Sequence, residues 1–94
     1  GKASLKRQAY VLPRTQGRPG PGMEVASLTT EPQAVMLVGP SEVVSQVTTV
    51  ATKPVDISGL TAGASRPVAV ISPEGVTAFP PRVTMRIELR RSGS

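Results

Sequence analysis

Arg82-Val83-Thr84-Met85-Arg86-Ile87-Glu88-Leu89-Arg90 is the stretch that decides the fold class. Val83, Met85, Ile87 and Leu89 alternate with five polar residues, and that period of two is the pattern of a strand with one buried face. Working back along the chain, the same texture recurs in shorter pieces. Leu5 to Leu12 gives a noisier strand, Glu24 to Thr30 another, and Gln33 to Val38 an apolar run short enough to be buried on both faces. Val47 to Ile57 is rich in Val and Thr, whose branched β-carbons suit a pleated surface. Pro54, lacking an N–H, must then fall at an edge, a bulge or a break. Pro67 to Ile71 adds a further strand. The expectation is an all-β domain, two small sheets with one short helical turn.

Composition agrees with many short strands. Ninety-four residues form one domain, 1–94, which buries about 60 to 65% of its unfolded surface. Gly and Pro contribute 9 and 10 residues without a collagen-like period. Tyr10 and Phe79 are the only aromatics, so the core must be aliphatic. Gly17-Arg18-Pro19-Gly20-Pro21-Gly22 is a loop but no phosphate cradle: its spacing is wrong, its prolines remove amide donors, and no helical pattern follows. Gly39-Pro40-Ser41-Glu42-Val43-Val44-Ser45-Gln46-Val47 ends a strand and then makes one or two helical turns. Ser41 serves there as a cap, Glu42 faces the positive end of the dipole, and Val43, Val44 and Val47 share one face. Asp56-Ile57-Ser58-Gly59 is a turn in which the Asp side chain accepts backbone N–H bonds and Gly59 takes positive φ. Ser72-Pro73-Glu74-Gly75 is the next such turn.

The absences exclude chemistry. With no Cys and no His there is no thiolate, no imidazole base, no disulfide and no Cys/His metal site. Asp56 has no carboxylate or imidazole neighbour in sequence with which to form an acid/base pair or a hard-cation cage. Lys53 lies in no motif that would activate a serine. No enzyme activity and no cofactor are expected. The longest strictly apolar run, Ala34 to Val38, is far short of the ~20 residues of a membrane-spanning helix. The opening Gly1-Lys2-Ala3-Ser4 has neither an initiator Met nor an apolar signal region, and reads as the start of a piece of something longer.

Charge is placed unevenly. Residues 1–20 carry five cations and no acid, residues 21–81 are net acidic by three, and residues 82–94 are net basic by three, giving +5 overall. Arg82, Arg86 and Arg90 stand at even spacing on the polar side of one strand and form a basic row. If the first strand pairs with the last, Lys6 or Arg7, together with Arg14, widens it into an anion-facing surface for a protein partner. A nucleic-acid partner is not expected, because single-strand binders stack bases on aromatic platforms and only Tyr10 and Phe79 are present.

The run Val38 to Val47, then Val50, then Val55-Asp56-Ile57-Ser58-Gly59-Leu60, closely resembles the repeat of the YbbR-like domain family. That family has an apolar strand ending in Gly-Pro, a short Ser/Glu-Val-Val turn, a Val-rich strand ending in Val-Asp-Leu-Ser-Gly, and final strands introduced by Pro-x-x-Val. Pro73-Glu74-Gly75-Val76 and Pro80-Pro81-Arg82-Val83 fit its end, so the likeness spans roughly Leu5 to Leu89. Gly39, Pro40, Val43, Val44, Val47, Val55, Asp56 and Gly59 are its motif residues here, and each has a structural task. The Pro/Gly-heavy Gly17 to Gly22 loop, Met23 where an aromatic is common, and the basic first strand depart from it.

The resemblance implies a β-rich domain that occurs as tandem copies on the outer face of the cell membrane, behind an N-terminal membrane helix lying outside this chain. It implies a regulator that touches sister domains and a membrane-bound diadenylate cyclase, the enzyme that makes cyclic di-AMP. The piece itself is then monomeric. Two alternatives stand beside this one. The domain is a structural bead in an extracytoplasmic stalk, or it is an RNA-associated domain similar to the C-terminal domain of a bacterial RNA-binding ribosomal protein.

Overall fold

The computed structural model describes residues 3–93. Lys2, counted above with the basic N-terminal end, lies outside them. In chain order the elements are β1 (Ser4–Leu12), β2 (Thr15–Gln16), β3 (Met23–Glu31), β4 (Ala34–Pro40), α1 (Ser41–Val44), β5 (Thr49–Ala51), β6 (Val55–Asp56), β7 (Ala64–Ala69), β8 (Thr77–Phe79) and β9 (Arg82–Arg91). They form a four-stranded sheet in the order β5-β1-β4-β8, a three-stranded sheet in the order β3-β9-β7, and a small parallel pair, β2-β6.

The parallel pair exists because of two prolines. Residues 10–18 run parallel to residues 49–59 through Tyr10↔Thr49 to Leu12↔Ala51 and again through Thr15↔Val55 and Gln16↔Asp56. Between the two stretches lie Pro13 and Pro54, which have no amide to donate. Thr52 fills the gap. Its side chain is fully buried, its Oγ1 accepts the Arg14 N–H at 3.0 Å, and its own N–H donates to the Leu12 carbonyl at 3.0 Å. Of the edge, bulge or break expected at Pro54, the structure shows a break: the Val47 to Ile57 stretch forms two strands, β5 and β6.

The pairing expected between the first and last strands does not form. β1 lies between β4, antiparallel, and β5, parallel, while β9 lies between β3 and β7, antiparallel to both. Both edges of each strand are occupied by other partners, and the two basic segments sit in different sheets. A direct pairing would have set like charges opposite one another, which destabilises a ladder.

The molecule is a rod of 59 × 19 × 17 Å. Two long broken strands build it: β3 continues into β4 past Pro32, and β8 continues into β9 past Pro80, the Glu31-Pro32 and Phe79-Pro80 bonds both being cis. Ala3 accepts a hydrogen bond from Ser41 N beside α1, whereas Ser92 N donates to the Gly22 carbonyl. Between these points the ladder runs from Ser4 through Gln16 to Arg18 at about 3.3 Å per residue, so Ala3 and Ser92 lie at opposite ends of the rod.

Along the rod the core is aliphatic. Leu37, Met85, Ile87 and Val44 have essentially no exposed surface, with Ala9, Val11, Val35, Val50, Ile57, Val68, Val76, Ala78 and Val83 around them. Val44 of α1 is buried, and Val43 and Val47 pack partly buried against the same core. Ser41 is the first helical residue and not the cap. Pro40 holds the cap position with no side-chain bond, because the extended Gly39-Pro40 backbone runs straight into the turn and the Ser41 amide is taken by Ala3. Gln33 to Val38 is also not buried on both faces. Val35 and Leu37 point inward, while Met36 is exposed and Ala34 and Val38 are half-buried.

Candidate functional site

Arg82, Arg86 and Arg90 all stand exposed on the outer face of β9, with Val83, Met85 and Ile87 buried beneath. The strand alternation is as the sequence spells it. Neighbouring strands change its electrostatics, however. The register sets Glu31 opposite Thr84, Thr29 opposite Arg86, Ser27 opposite Glu88 and Glu24 opposite Arg90. Arg90 Nε donates to Glu24 Oε1 at 2.9 Å, a pair so exposed that it adds less than about 1 kcal/mol. Three arginines thus share the face with Glu24, Glu31 and Glu88, and the row is balanced in charge.

The other proposed members of the surface lie elsewhere. Lys6 is exposed on the outer face of the four-stranded sheet, opposite Val38. Arg7, one residue on, projects to the other side by strand alternation, and its Nη1 donates to the Ser45 carbonyl at the end of α1. It latches the helical turn to β1, where a cation suits the negative end of the turn. Arg14 is exposed at the junction of β1 and β2. Because β1 and β9 are not neighbours, the six cations do not form one surface.

The motif residues hold turns and strand ends together. Asp56 Oδ1 accepts from Ser58 Oγ at 2.6 Å and from Ser58 N at 2.9 Å, and Gly59 takes φ of 73°. The Ser58 hydroxyl first, and its amide second, hold the Asp56 carboxyl below the ordinary carboxylate range. Gly39 marks a close approach: a β-carbon there would come within 2.9 Å of Val76 Cγ2 and 3.1 Å of the Gly75 carbonyl oxygen. Val55 is half-buried at the start of β6 and packs against the core. No three Asp or Glu side chains among the described residues gather as a metal site would need, and no helix among them is long and apolar enough to cross a membrane.

The sequence reading missed a different surface. Tyr10, Leu12, Met36, Ile71 and Phe79 are the exposed large hydrophobics, with Tyr10 64% and Phe79 56% accessible. Four of them lie on the outer face of the four-stranded sheet, where Met36 is directly opposite Phe79 and Tyr10 is opposite Ala34, next to Met36 on the diagonal. Ile71 adjoins them, since its N–H donates to the carbonyl of Ala51, the residue paired with Leu12. The signal was present in Ala34 to Val38, whose residues are apolar at both parities.

The profile of the YbbR-like protein family matches residues 11–87. The chain belongs to the YbbR-like family. The solution structure of a Streptococcus thermophilus protein, 24% identical, superposes with a TM-score of 0.71 over 97% of this chain and 89% of that one. The crystal structure of a YbbR-like protein from Streptococcus pneumoniae TIGR4, 11% identical, also gives 0.71, over 95% of this chain and 49% of that one. At these identities the likeness is one of fold. This YbbR-like chain thus spans about half the length of the pneumococcal protein. No curated protein matches it.

Proposed function

We propose that this YbbR-like chain is a non-enzymatic protein-interaction module of a membrane-anchored protein on the outer face of the cell membrane, where it modulates a membrane-bound diadenylate cyclase. The observation that carries this reading is family membership over residues 11–87. The lack of His and Cys, and of any group of three carboxylates among the described residues that could hold a metal ion, supports it. The test is cyclase activity in membranes from the native cell, with and without residues 1–94 deleted from the protein that carries them. Cyclic di-AMP output that changes on deletion, at constant cyclase level, supports modulation. Unchanged output removes it.

A stalk bead is the second reading, and the rod shape favours it. The chain enters beside α1 and leaves beside Gly22 at the far end, as a unit in a linear array would. Replacing residues 3–93 by an unrelated rod of equal length separates the two: a stalk tolerates the exchange, and a regulator does not.

A further inference from the structure

The five exposed large hydrophobic residues are gathered on one side of the molecule. They run diagonally across the four-stranded sheet from Ile71 and Leu12 through Tyr10 and Met36 to Phe79. Large apolar residues scattered singly over a surface need no explanation, but a contiguous set on one flat face marks a contact. Both aromatics of the chain lie there, while the core is aliphatic. Beside Tyr10 lies an open hollow of about 210 Å³ lined by Tyr10, Pro13, Leu28, Thr29 and Gln33, of a size to receive one side chain.

Charge then selects the occupant. The strands of this sheet contain no Asp or Glu; Lys6 stands on the face, and Lys53 is exposed just beyond β5. A second copy docking by the same face would bring these cations together. An anionic lipid surface or an RNA strand would need a row of cations tracking it; Arg14, exposed just beyond β1, adds a third cation to Lys6 and Lys53, too few for such a row, and the arginines of β9 lie on the other sheet, balanced by Glu24, Glu31 and Glu88. We infer that the outer face of the β5-β1-β4-β8 sheet is the docking surface for another protein, one that presents an apolar ridge bordered by carboxylates. Tyr10 and Phe79 are its anchors, and Lys6 and Lys53 meet the acidic border. The inference rests on the interaction reading above and assigns it to a face that the arginine row does not occupy.

The test is photo-crosslinking in the native cell. A benzophenone amino acid replaces Tyr10, Met36 or Phe79 in turn, with Thr84 and Arg86 on the other sheet as comparison positions. Support requires adducts from positions 10, 36 and 79 to one protein, through a segment whose apolar residues are flanked by Asp or Glu. It also requires that the purified partner bind the Tyr10→Ser/Phe79→Ser variant at least about tenfold more weakly than the parent chain. Both side chains are exposed, so the variant is expected to fold, and an amide spectrum checks this; Met36→Gln is the substitute if it does not. Adducts from 84 and 86 alone overturn the assignment of the face while leaving the interaction reading intact. Adducts from 10, 36 and 79 only to lipid, to RNA or to another copy overturn the stated partner. Silence at all five positions overturns both.

Discussion

At the scale of single residues, Thr52 stands where the parallel ladder of residues 10–18 with residues 49–59 would otherwise lapse. Pro13 and Pro54 remove two donors, and the buried Thr52 hydroxyl supplies the acceptor that the Arg14 amide needs. Thr52→Val keeps the shape and leaves that amide unsatisfied, so it should cost about 1 to 3 kcal/mol in urea unfolding, while Thr52→Ser should recover much of the loss. Asp56 makes a different kind of contribution. Its folded-state pKa lies below the unfolded value of about 4, so the turn adds stability above that value and loses it as pH falls through the folded pKa. Asp56→Ala should therefore show a shallower loss of stability on acidification than the parent chain. An equal slope in both proteins would mean that the Ser58 bonds do not couple to folding.

At the scale of elements, the close approach of β4 to the Ser72–Gly75 turn is a sharp constraint. Gly39→Ala would force its β-carbon against Val76 and the Gly75 carbonyl, and the overpacking should cost about 1 to 3 kcal/mol by thermal or chemical unfolding. Gly93, which has open space around it and no positive φ, is the control for steric crowding. Local elements were largely readable from sequence. The alternation in Arg82 to Arg90, the Pro40 boundary and the Asp56 turn are each written in a few adjacent residues, because strand parity and turn chemistry are local. Pairing was not readable, because it depends on which edges remain free once all strands compete. The first strand takes β4 and β5, and the last takes β3 and β7. β2 and β8, of two and three residues, carry too little pattern to register.

At the scale of the whole molecule, those pairings decide where charge and apolar surface end up. Counting charge along the chain suggested one basic face. In the fold, Lys6 lies on one sheet, the arginines lie on another among carboxylates, and Arg7 secures a helical turn. The apolar face was hidden in sequence because Tyr10, Met36 and Phe79 are far apart along the chain and become neighbours only through β1-β4-β8 register. What remains is a rod with Ala3 and Ser92 at opposite tips and one exposed apolar side. The central claim is that this module binds a protein and does no chemistry. The measurement that tests it most directly is a residue-resolved NMR titration of the chain with the membrane-bound diadenylate cyclase in nanodiscs, beside a short RNA, each at two salt concentrations. The account predicts signal loss confined to the strands around Tyr10, Met36 and Phe79 with the cyclase, persisting at the higher salt, and little change with RNA. Silence with the cyclase, or changes with RNA alone that collapse as salt rises, would contradict it.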